Sequence, residues 1–304
     1  MKHTYPPNLG ELYAKAGSVK ALAEQLGMPR TTVSSELSRQ NLLSAQTPAT
    51  APGSFSLEAA EIPVIRRKYD TDKHYVYPLG DVHLGAKEHK GEAWQEWLDY
   101  LTAHKDTSMV GVGDFLNTAI KDSVSDVYDE TLSVPKAQRL LRQQLDPLAK
   151  EDRIDVLIPG NHEDRVTKST GICPIEDVAD FLGVPYAAAA VLLVYEIGEI
   201  EYRVFLRHGT GNGQSVAAAE KSAQVILADV YITGHTHAQF VKTDEFFDLS
   251  ADGLSTVRHR RYYLSAGSFM GLEKYAAQRG YKATRIGAPR LLLMGDRKDV
   301  HASL

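Results

Sequence analysis

The chain has 304 residues, of which 43% are hydrophobic and 24% are charged, a composition typical of a globular protein with a sizeable core. The formal net charge of −5 at pH 7 argues against a surface that is basic on every side for nucleic acid, although it leaves room for a local basic patch. A single cysteine, Cys173, excludes an internal disulfide framework and suits a reducing compartment.

The N-terminal sequence and the apolar runs predict a cytoplasmic protein that does not enter a membrane. No apolar run approaches the roughly 18 uninterrupted residues that a membrane-spanning helix needs. The first residues, MKHTYPPNLGELY, lack the hydrophobic centre of a signal peptide.

The first forty residues are predicted to form three short helices, LGELYAKA, SVKALAEQL and PRTTVSSELSRQ, with a break at Gly17-Ser18. Gly27 is expected to end the second helix in a tight turn. Ala23 lies four residues before Gly27, and Val33 and Leu37 lie six and ten residues after it. This spacing resembles the helix-turn-helix of bacterial and phage regulators, which implies that the third helix contacts DNA.

Residues 1–40 hold five basic and three acidic side chains, a local net charge of +2 that suits such a role. The alternative is a helical hairpin that only packs, docks or dimerises the protein. The residues expected to face a DNA groove or its phosphates are Arg30, Thr31, Thr32, Ser34, Ser35 and Arg39.

The sequence predicts three regions: residues 1–43 as the helix-turn-helix, 44–63 as a flexible linker, and 64–304 as an α/β domain. The linker is rich in Ala, Ser, Thr and Pro and has no apolar period. From about residue 64 onwards, strands and helices alternate, which is typical of an α/β core.

Five predicted strands end in polar side chains at or near a glycine. In open α/β sheets ligands bind outside the carboxyl ends of the strands, so five such ends predict one shared site. Aspartate, asparagine and neutral imidazole are ligands for Mn, Fe, Zn or Co, and seven are too many for one ion but suitable for two. Two ions about 3.5–4 Å apart could hold a phosphate between them. The candidate ligands are Asp81, His83, Asp114, Asn161, His208, His235 and His237.

In order along the chain, the motifs D-x-H, G-D-x-x-N, G-N-H-E, H and G-H-x-H resemble the calcineurin-like metallophosphoesterase family. The resemblance covers residues from about 75 to 270, including Gly267-Ser268, which is similar to the family's closing Gly-Ser after the last strand. It implies a four-layer αββα sandwich for residues 64–304. It also implies two divalent ions, Mn first, with Fe, Zn, Ni, Co or Mg as alternatives.

By the same resemblance, the first ion would be held by Asp81, His83 and His237, and the second by Asn161, His208 and His235. Asp114 would bridge the two ions. His162 would not bind metal; it would donate a hydrogen bond to the phosphoryl oxygens and protonate the leaving oxygen.

Two further residues are weaker candidates for contact with substrate. Asn117 is expected to support Asp114 rather than to bind metal. Arg165 could meet the substrate phosphate, but a salt bridge to Glu163 or Asp164 explains it equally well.

The predicted function is hydrolysis of phosphodiesters by a hydroxide bridging the two metal ions. The helix-turn-helix favours nucleic acid, making a DNA nuclease or phosphodiesterase of phage or bacterial type the first choice. The alternatives are a phosphomonoesterase or small- or cyclic-nucleotide phosphodiesterase, and a non-enzymatic DNA-binding regulator with a phosphoesterase scaffold. The expected partner is a phosphodiester, DNA first; homo-oligomerisation stays open.

Three other segments are given structural interpretations. Trp94 and Trp97 lie three apart on a helical pattern and are expected to pack on the sheet. The basic run Arg258–Arg261 is expected on the last strand, either as a solvated face or beside the substrate groove. Residues 118–135 fall where the family places variable substrate-capping insertions, and they are acidic.

Overall fold

The computed structural model describes residues 5–16, 19–40, 61–120, 130–209, 216–250, 252–272, 280 and 285–304. The chain divides into two compact units, Met1–Glu61 and Ile62–Leu304. The predicted break at Gly17-Ser18, most of the predicted linker and Thr31's side chain lie outside what is described.

The first unit contains three helices: α1 (Leu9–Ala16), α2 (Val19–Leu26) and α3 (Arg30–Arg39). Gly27 follows α2 with a φ of 63°, a left-handed turn that glycine adopts without steric cost. The small core of this unit consists of Leu9, Tyr13, Leu22, Ala23, Val33 and Leu37. The three residues that the spacing around Gly27 predicted to pack are therefore buried together.

The second unit contains two β-sheets. In chain order its elements are β1 (Val64–Tyr69), β2 (Lys73–Leu79), α4 (Gly91–Ala103), β3 (Thr107–Gly111), α5 (Val134–Lys150), β4 (Ile154–Leu157), α6 (Asn161–Thr170), α7 (Pro174–Leu182), β5 (Ala190–Ile197), β6 (Ile200–Arg207), α8 (Ala217–Glu220), β7 (Val230–Thr233), β8 (Phe240–Leu249), β9 (Thr256–Ser265), β10 (Arg290–Met294) and β11 (Val300–Ser303). The six-stranded sheet has the order β1-β5-β6-β7-β9-β8, and the five-stranded sheet has the order β11-β10-β2-β3-β4.

The two sheets face each other across a buried aliphatic core. Val110 and Val156 of the five-stranded sheet lie in one apolar cluster with Leu193, Val204 and Ile232 of the six-stranded sheet. Helices α4, α5 and α7 cover the outer face of the five-stranded sheet, and α8 packs on the outer face of the other. The structure therefore confirms the predicted α/β sandwich of four layers, helix, sheet, sheet and helix.

Cys173, the single cysteine of the chain, is buried. The strand that precedes Gly267-Ser268 is not the last one, because β10 and β11 follow and complete the five-stranded sheet. None of the described helices is long and apolar enough to cross a membrane.

Within each sheet, the strands that end in predicted ligands run parallel to one another. Strand β2 pairs in parallel with β3, and β3 with β4. In the other sheet, β6 pairs in parallel with β7. Their carboxyl ends therefore lie at the same end of each sheet. These two ends together supply the side chains of one polar cluster.

Candidate metal centre

The first group of predicted ligands comes together from both sheets. The Nε2 atoms of His83 and His237 lie 3.1 Å apart, and His237 Nε2 lies 3.5 Å from Asp81 Oδ1. The backbone N–H of His235 donates to both carboxylate oxygens of Asp81, at 3.1 and 2.9 Å, and so fixes the position of that carboxylate. The donor atoms of Asp81, His83 and His237 all lie within 4.8 Å of one another.

The second group surrounds the amide oxygen of Asn161, the first residue of α6. Asn161 Oδ1 lies 2.6 Å from His235 Nδ1 and 3.1 Å from His208 Nε2. His208 Nε2 also lies 3.1 Å from Asp114 Oδ2. Asp114, His208 and His235 form a second set with donor atoms within 4.8 Å of one another.

Asp114 contacts residues of both groups. Its Oδ2 atom lies 3.9 Å from His83 Nε2, compared with 3.1 Å from His208 Nε2. Its carboxylate therefore lies between the two groups of donors. All seven predicted ligands lie in one continuous cluster, with Asp114 between its halves.

His162 lies at the edge of this cluster. Its Nδ1–H donates to the carbonyl oxygen of Asn117 at 2.6 Å, which leaves Nε2 directed towards Asp114 Oδ2, 4.0 Å away. The donor atoms of His83, Asp114 and His162 also lie within 4.8 Å of one another, so distance alone does not exclude His162 as a ligand. Its side chain is 13% exposed, compared with 3% for His83, so it is the more accessible to a substrate.

Five of the seven predicted ligands have a left-handed backbone. The φ angles are 49° for Asp81, 52° for His83, 53° for Asp114, 71° for His235 and 55° for His237. Such a conformation is uncommon for residues with a Cβ atom and costs on the order of 1–3 kcal/mol at each position. Only two other described residues that are not glycine share it. The strained backbone is thus concentrated at the ends of the strands that supply the donors.

Two glycines allow the loops around the cluster to approach each other. A Cβ atom on Gly160 would lie 2.1 Å from Asp114 Oδ1, and one on Gly234 would lie 2.9 Å from Asp81 Oδ2. Any side chain at position 160 would therefore displace the Asp114 carboxylate. This explains why Gly precedes Asn161 in the motif.

The arrangement of lone pairs fits a site for cations. His208 donates its Nδ1–H to the carbonyl oxygen of Val112 at 2.6 Å, so its Nε2 faces two oxygens, on Asp114 and Asn161. Neither oxygen can donate a hydrogen bond. The contact of Nε2 with the two oxygens therefore requires either a proton on Nε2 or a cation between these atoms. His83 similarly places Nε2 against Nε2 of His237 while its Nδ1 lies 3.3 Å from Asn117 Oδ1. Imidazole, carboxylate and amide donors together are suited to first-row divalent metals.

The direction of the pKa shift differs from one buried group of the cluster to the next. Burial opposes the charged form of His208, but the Asp114 carboxylate overrides it and raises the pKa of His208 to about 10. Burial alone dominates at His237, where it lowers the pKa to about 4. Burial also raises the pKa of Asp81 well above its usual value. A cation bound among these atoms would compensate the buried carboxylates without a proton.

Glu163 holds the two central loops together, a role that the sequence interpretation missed. Its Oε2 accepts the backbone N–H groups of Asp114 at 3.0 Å and Gly160 at 2.8 Å, and its Oε1 accepts that of Leu116 at 2.8 Å. The side chain is fully buried. The sequence offered a pattern for one of these bonds, since a Glu at the third helical position commonly accepts the N-cap N–H. The bonds to Asp114 and Leu116 span 49 and 47 residues and had no local signal.

Asn117 supports a different residue from the one expected. It lies beside His83 rather than Asp114, and its Nδ2–H donates to Glu130 Oε1 at 2.9 Å. Glu130 also accepts the N–H of Ala119 at 2.7 Å. Glu130 belongs to the segment interpreted as a variable insertion, of which residues 121–129 lie outside the described residues. Its carboxylate, through Asn117, orients His83.

Arg165 lies on α6, three residues after His162, and is partly buried. Burial lowers the pKa of His162, and the charge of Arg165 adds to that effect while Asp114 opposes it. Arg165 is therefore close enough to His162 for its charge to act there.

Trp94 is fully buried and packs on the five-stranded sheet as predicted, whereas Trp97 is only partly buried. The basic run lies on β9, where Arg258 and Arg260 pair with Glu245 at 3.4 and 2.9 Å. These pairs are consistent with a solvated face.

Comparison with solved structures finds similar chains at low sequence identity and low TM-score. Vps29 of Entamoeba histolytica complexed with Zn²⁺ is 14% identical, with a TM-score of 0.35, over 75% of this chain and 97% of that one. A metallophosphoesterase from Sphaerobacter thermophilus is 14% identical, with a TM-score of 0.37, over 75% and 87%. A conserved uncharacterized protein from Streptococcus pneumoniae, described as a predicted phosphoesterase, is 14% identical, with a TM-score of 0.32, over 76% and 98%.

No protein-family model matches the chain, and no curated protein sequence matches it either. Likeness at these TM-scores does not transfer an activity to this chain, so its function has to be argued from its own residues.

Proposed function

We propose that the chain is a metal-dependent phosphoesterase that hydrolyses phosphodiesters, with DNA as the first candidate substrate. The observation that carries this proposal is the convergence of seven oxygen and imidazole donors in two groups on either side of Asp114. Divalent cations held by these residues would polarise the phosphoryl oxygens and lower the pKa of a water molecule. Manganese is our first candidate for both positions, because the mixed donor set suits it along with several other metals.

The chain's own residues supply positioning and proton transfer. Asp81, His83 and His237 would hold one cation, and Asn161, His208 and His235 the other, with Asp114 shared between them. His162 would hydrogen-bond a phosphoryl oxygen through Nε2 and, when protonated there, give its proton to the leaving oxygen. Its hydrogen bond to the carbonyl of Asn117 supports this role, because it fixes the ring with Nε2 free for the substrate.

The choice of DNA rests on the N-terminal unit. Arg30 is exposed at the start of α3, beside partly buried Thr32 and Ser34, on the helix that the sequence assigns to the DNA groove. Arg39, at the end of α3, forms a two-point ion pair with Glu36 and remains 73% exposed at its side chain. Because the guanidinium group of Arg39 is already paired with Glu36, Arg30 is the better candidate for a phosphate contact.

A substrate panel with defined metals tests the proposal. Purified full-length protein is loaded with Mn²⁺ and offered bis(p-nitrophenyl) phosphate, p-nitrophenyl phosphate, and single- and double-stranded DNA. We expect hydrolysis of the bis-ester and of DNA, with His162→Ala lowering both rates on the order of 100-fold or more. A preference for the mono-ester would instead identify a phosphomonoesterase.

If DNA survives an excess of enzyme that hydrolyses the bis-ester, the proposed substrate is wrong. If His162→Ala leaves the rates unchanged, the role given to His162 is wrong. If none of the esters is hydrolysed while DNA binding persists, the second unit is a scaffold rather than an enzyme.

A further inference from the structure

A second polar cavity lies on the α4 side of the five-stranded sheet, with a volume of about 510 Å³. This volume falls within the range of small-molecule sites, roughly 300–1,000 Å³. The residues that give the cavity its chemistry are Tyr77, Trp97, Tyr100, Gln239, Arg285 and Arg290. None of them belongs to the cluster of predicted metal ligands.

One wall of the cavity is an aromatic corner. The ring of Tyr77 meets the rings of Trp97 and Tyr100 edge to face, with centroids 5.5 and 5.9 Å away, and the centroids of Trp97 and Tyr100 are 6.1 Å apart. The hydroxyl groups of Tyr77 and Tyr100 lie 3.2 Å apart, which fixes the two rings relative to each other. Tyr100 is 40% exposed, but His104 stacks on one face of its ring with centroids 4.0 Å apart, so a planar ligand can use only the remaining surface.

The other groups suit an anion and a hydrogen-bond acceptor. Arg285 and Arg290 are exposed, and neither forms an ion pair within the described part of the chain. Gln239 has a buried side-chain nitrogen, Nε2, that finds no hydrogen-bond partner among the described residues. Because this nitrogen has almost no exposed surface, a ligand acceptor can pair with it only when the Gln239 side chain turns towards the cavity. Glu96 is the single carboxylate side chain among the described lining residues. With two guanidinium groups beside it, the side chains of the lining carry a net positive charge.

Short connections link the cavity to the candidate metal centre. Gln239 lies two residues after His237 in the same loop. Ile286, which also lines the cavity, forms a β-bridge with Ser268, and the Ser268 hydroxyl donates to the carbonyl oxygen of Asp81 at 3.0 Å. The loop that carries His237 therefore reaches the cavity through Gln239, and the segment that carries Asp81 is joined to it through Ser268 and Ile286.

We propose that this cavity binds a nucleoside phosphate as the non-reacting part of the substrate. The base would stack against Trp97 or Tyr100, Gln239 would donate to an acceptor on its edge, and Arg285 and Arg290 would contact a phosphate. The shared chemistry is a nucleotide, either free or within a single strand. This inference rests on the proposed function and deepens it, since it makes nucleotide esters better substrates than simple aromatic ones.

Paired chromogenic esters test this inference on the full-length protein. The kcat/KM for 3′-phosphothymidine 5′-(p-nitrophenyl phosphate), whose 3′-phosphate does not react, is divided by that for bis(p-nitrophenyl) phosphate. We expect the doubly substituted variant Arg285→Ala, Arg290→Ala to lower this ratio about tenfold or more, since it removes two charged hydrogen bonds to the phosphate. The matched control is Arg66→Ala on β1, an exposed arginine that pairs with Glu201 and lies outside the cavity; it should keep the parent ratio.

A binding measurement keeps the inference separate from the proposed activity. Calorimetry with thymidine 5′-monophosphate and with single-stranded oligothymidylate should show weaker binding to the double variant than to Arg66→Ala. Tighter binding of the oligomer would identify a strand as the source, and equal binding a free nucleotide.

Unchanged ester ratios together with unchanged nucleotide affinity would overturn the cavity assignment, even if the bis-ester is hydrolysed. Absence of any ester hydrolysis would instead overturn the proposed function and leave the binding result to decide the cavity.

Discussion

Asp114 illustrates how one side chain serves several contacts at once. Its Oδ2 faces His208 and His83, while its Oδ1 accepts the backbone N–H of His162 at 2.8 Å. Burial opposes its ionisation, but His208 and His162 together lower the pKa of Asp114 well below its usual value. The carboxylate is therefore charged in the folded protein, and both groups of donors depend on that charge.

Replacing Asp114 should be more damaging than replacing a ligand of one group. We expect Asp114→Asn to lower kcat on the bis-ester on the order of 1,000-fold and to reduce binding of both metals, because it removes the charge common to them. His83→Ala should leave about one metal per chain and more residual activity. Elemental analysis and steady-state kinetics measure both quantities. Equal metal content and equal rates in Asp114→Asn and the parent protein would contradict the bridging role.

Glu163 gives a second prediction at this scale. In Glu163→Gln, an amide N–H₂ must replace one of the two oxygens that now accept N–H groups from Asp114, Gly160 and Leu116. Leaving a buried N–H unpaired costs about 1–3 kcal/mol, so the free energy of unfolding and the metal affinity should both fall.

Urea unfolding and metal titration measure the Glu163→Gln effects. Glu176→Gln, an exposed glutamate in the first turn of α7, is the matched control and should change neither. If the two variants behave alike, Glu163 does not hold the loops of the centre.

At the scale of single elements, the sequence predicted the parts whose cause is local. An apolar run that ends at a glycine and a polar side chain is visible in a few residues, so the ends of β2, β3, β4, β6 and β7 were predicted together with their donors. The helices α1 to α3 were predicted from their caps and their apolar spacing. The five-stranded sheet was harder to complete from sequence, because β10 joins β2 from more than 200 residues away along the chain.

The contacts that orient the donors could not be predicted from the sequence either, because they also join residues that are far apart along the chain. Glu130 reaches His83 only through Asn117, and Glu163 reaches Asp114 across 49 residues. No periodic pattern of apolar or polar residues in the sequence indicates such contacts. For Glu163 the sequence offered a salt bridge with Arg165 and the local bond to the N–H of Gly160, but not the bonds to the N–H groups of Asp114 and Leu116.

Helix α3 carries the prediction that concerns DNA. If it lies in a groove, Arg30→Ala should weaken binding to duplexes of any sequence and reduce the slope of log K against log salt by about 1. Fluorescence anisotropy with a random duplex, at several salt concentrations, measures the slope. Lys15→Ala, an exposed basic residue at the end of α1, should leave it unchanged. Equal slopes for both variants and the parent protein would favour a packing role for this unit.

At the scale of the whole second unit, the two sheets are tied together at the end away from the metal centre. Asp155 of β4 accepts hydrogen bonds from Arg67 at 2.9 Å, Tyr69 at 2.5 Å and Tyr195 at 2.6 Å, all on the opposite sheet. It also accepts the Ser108 hydroxyl at 2.6 Å. A buried carboxylate with four donors is well compensated, so this network fixes the spacing of the sheets.

His74 extends this network and makes folding stability depend on pH. It stacks on Tyr69 and contacts the Ser108 hydroxyl at 2.9 Å, and burial lowers its pKa to about 4 despite the nearby charge of Asp155. The unfolded chain, with a pKa near 6.5, binds a proton first, so stability contributed by neutral His74 is lost as pH falls from about 6.5 to about 4. The slope is roughly 1 kcal/mol per pH unit.

Urea unfolding between pH 4 and 7 checks this expectation. His74→Gln should lower the stability at pH 7 but flatten its decline towards pH 4. His301→Gln, a histidine exposed on β11, should keep the parent slope. A parent-like slope in His74→Gln would show that other groups cause the acid sensitivity.

The left-handed backbone at Asp81, His83, Asp114, His235 and His237 restricts how this centre could be re-engineered for another metal. Aspartate, asparagine and histidine enter that conformation more readily than most residues with a Cβ atom. A cysteine introduced to bind a thiophilic ion would supply a suitable sulfur donor. It would, however, have to adopt the left-handed backbone, which costs about 1–2 kcal/mol per position. Selectivity is therefore easier to alter at Asn161 and His208, whose φ angles are not left-handed, than at the five other donors.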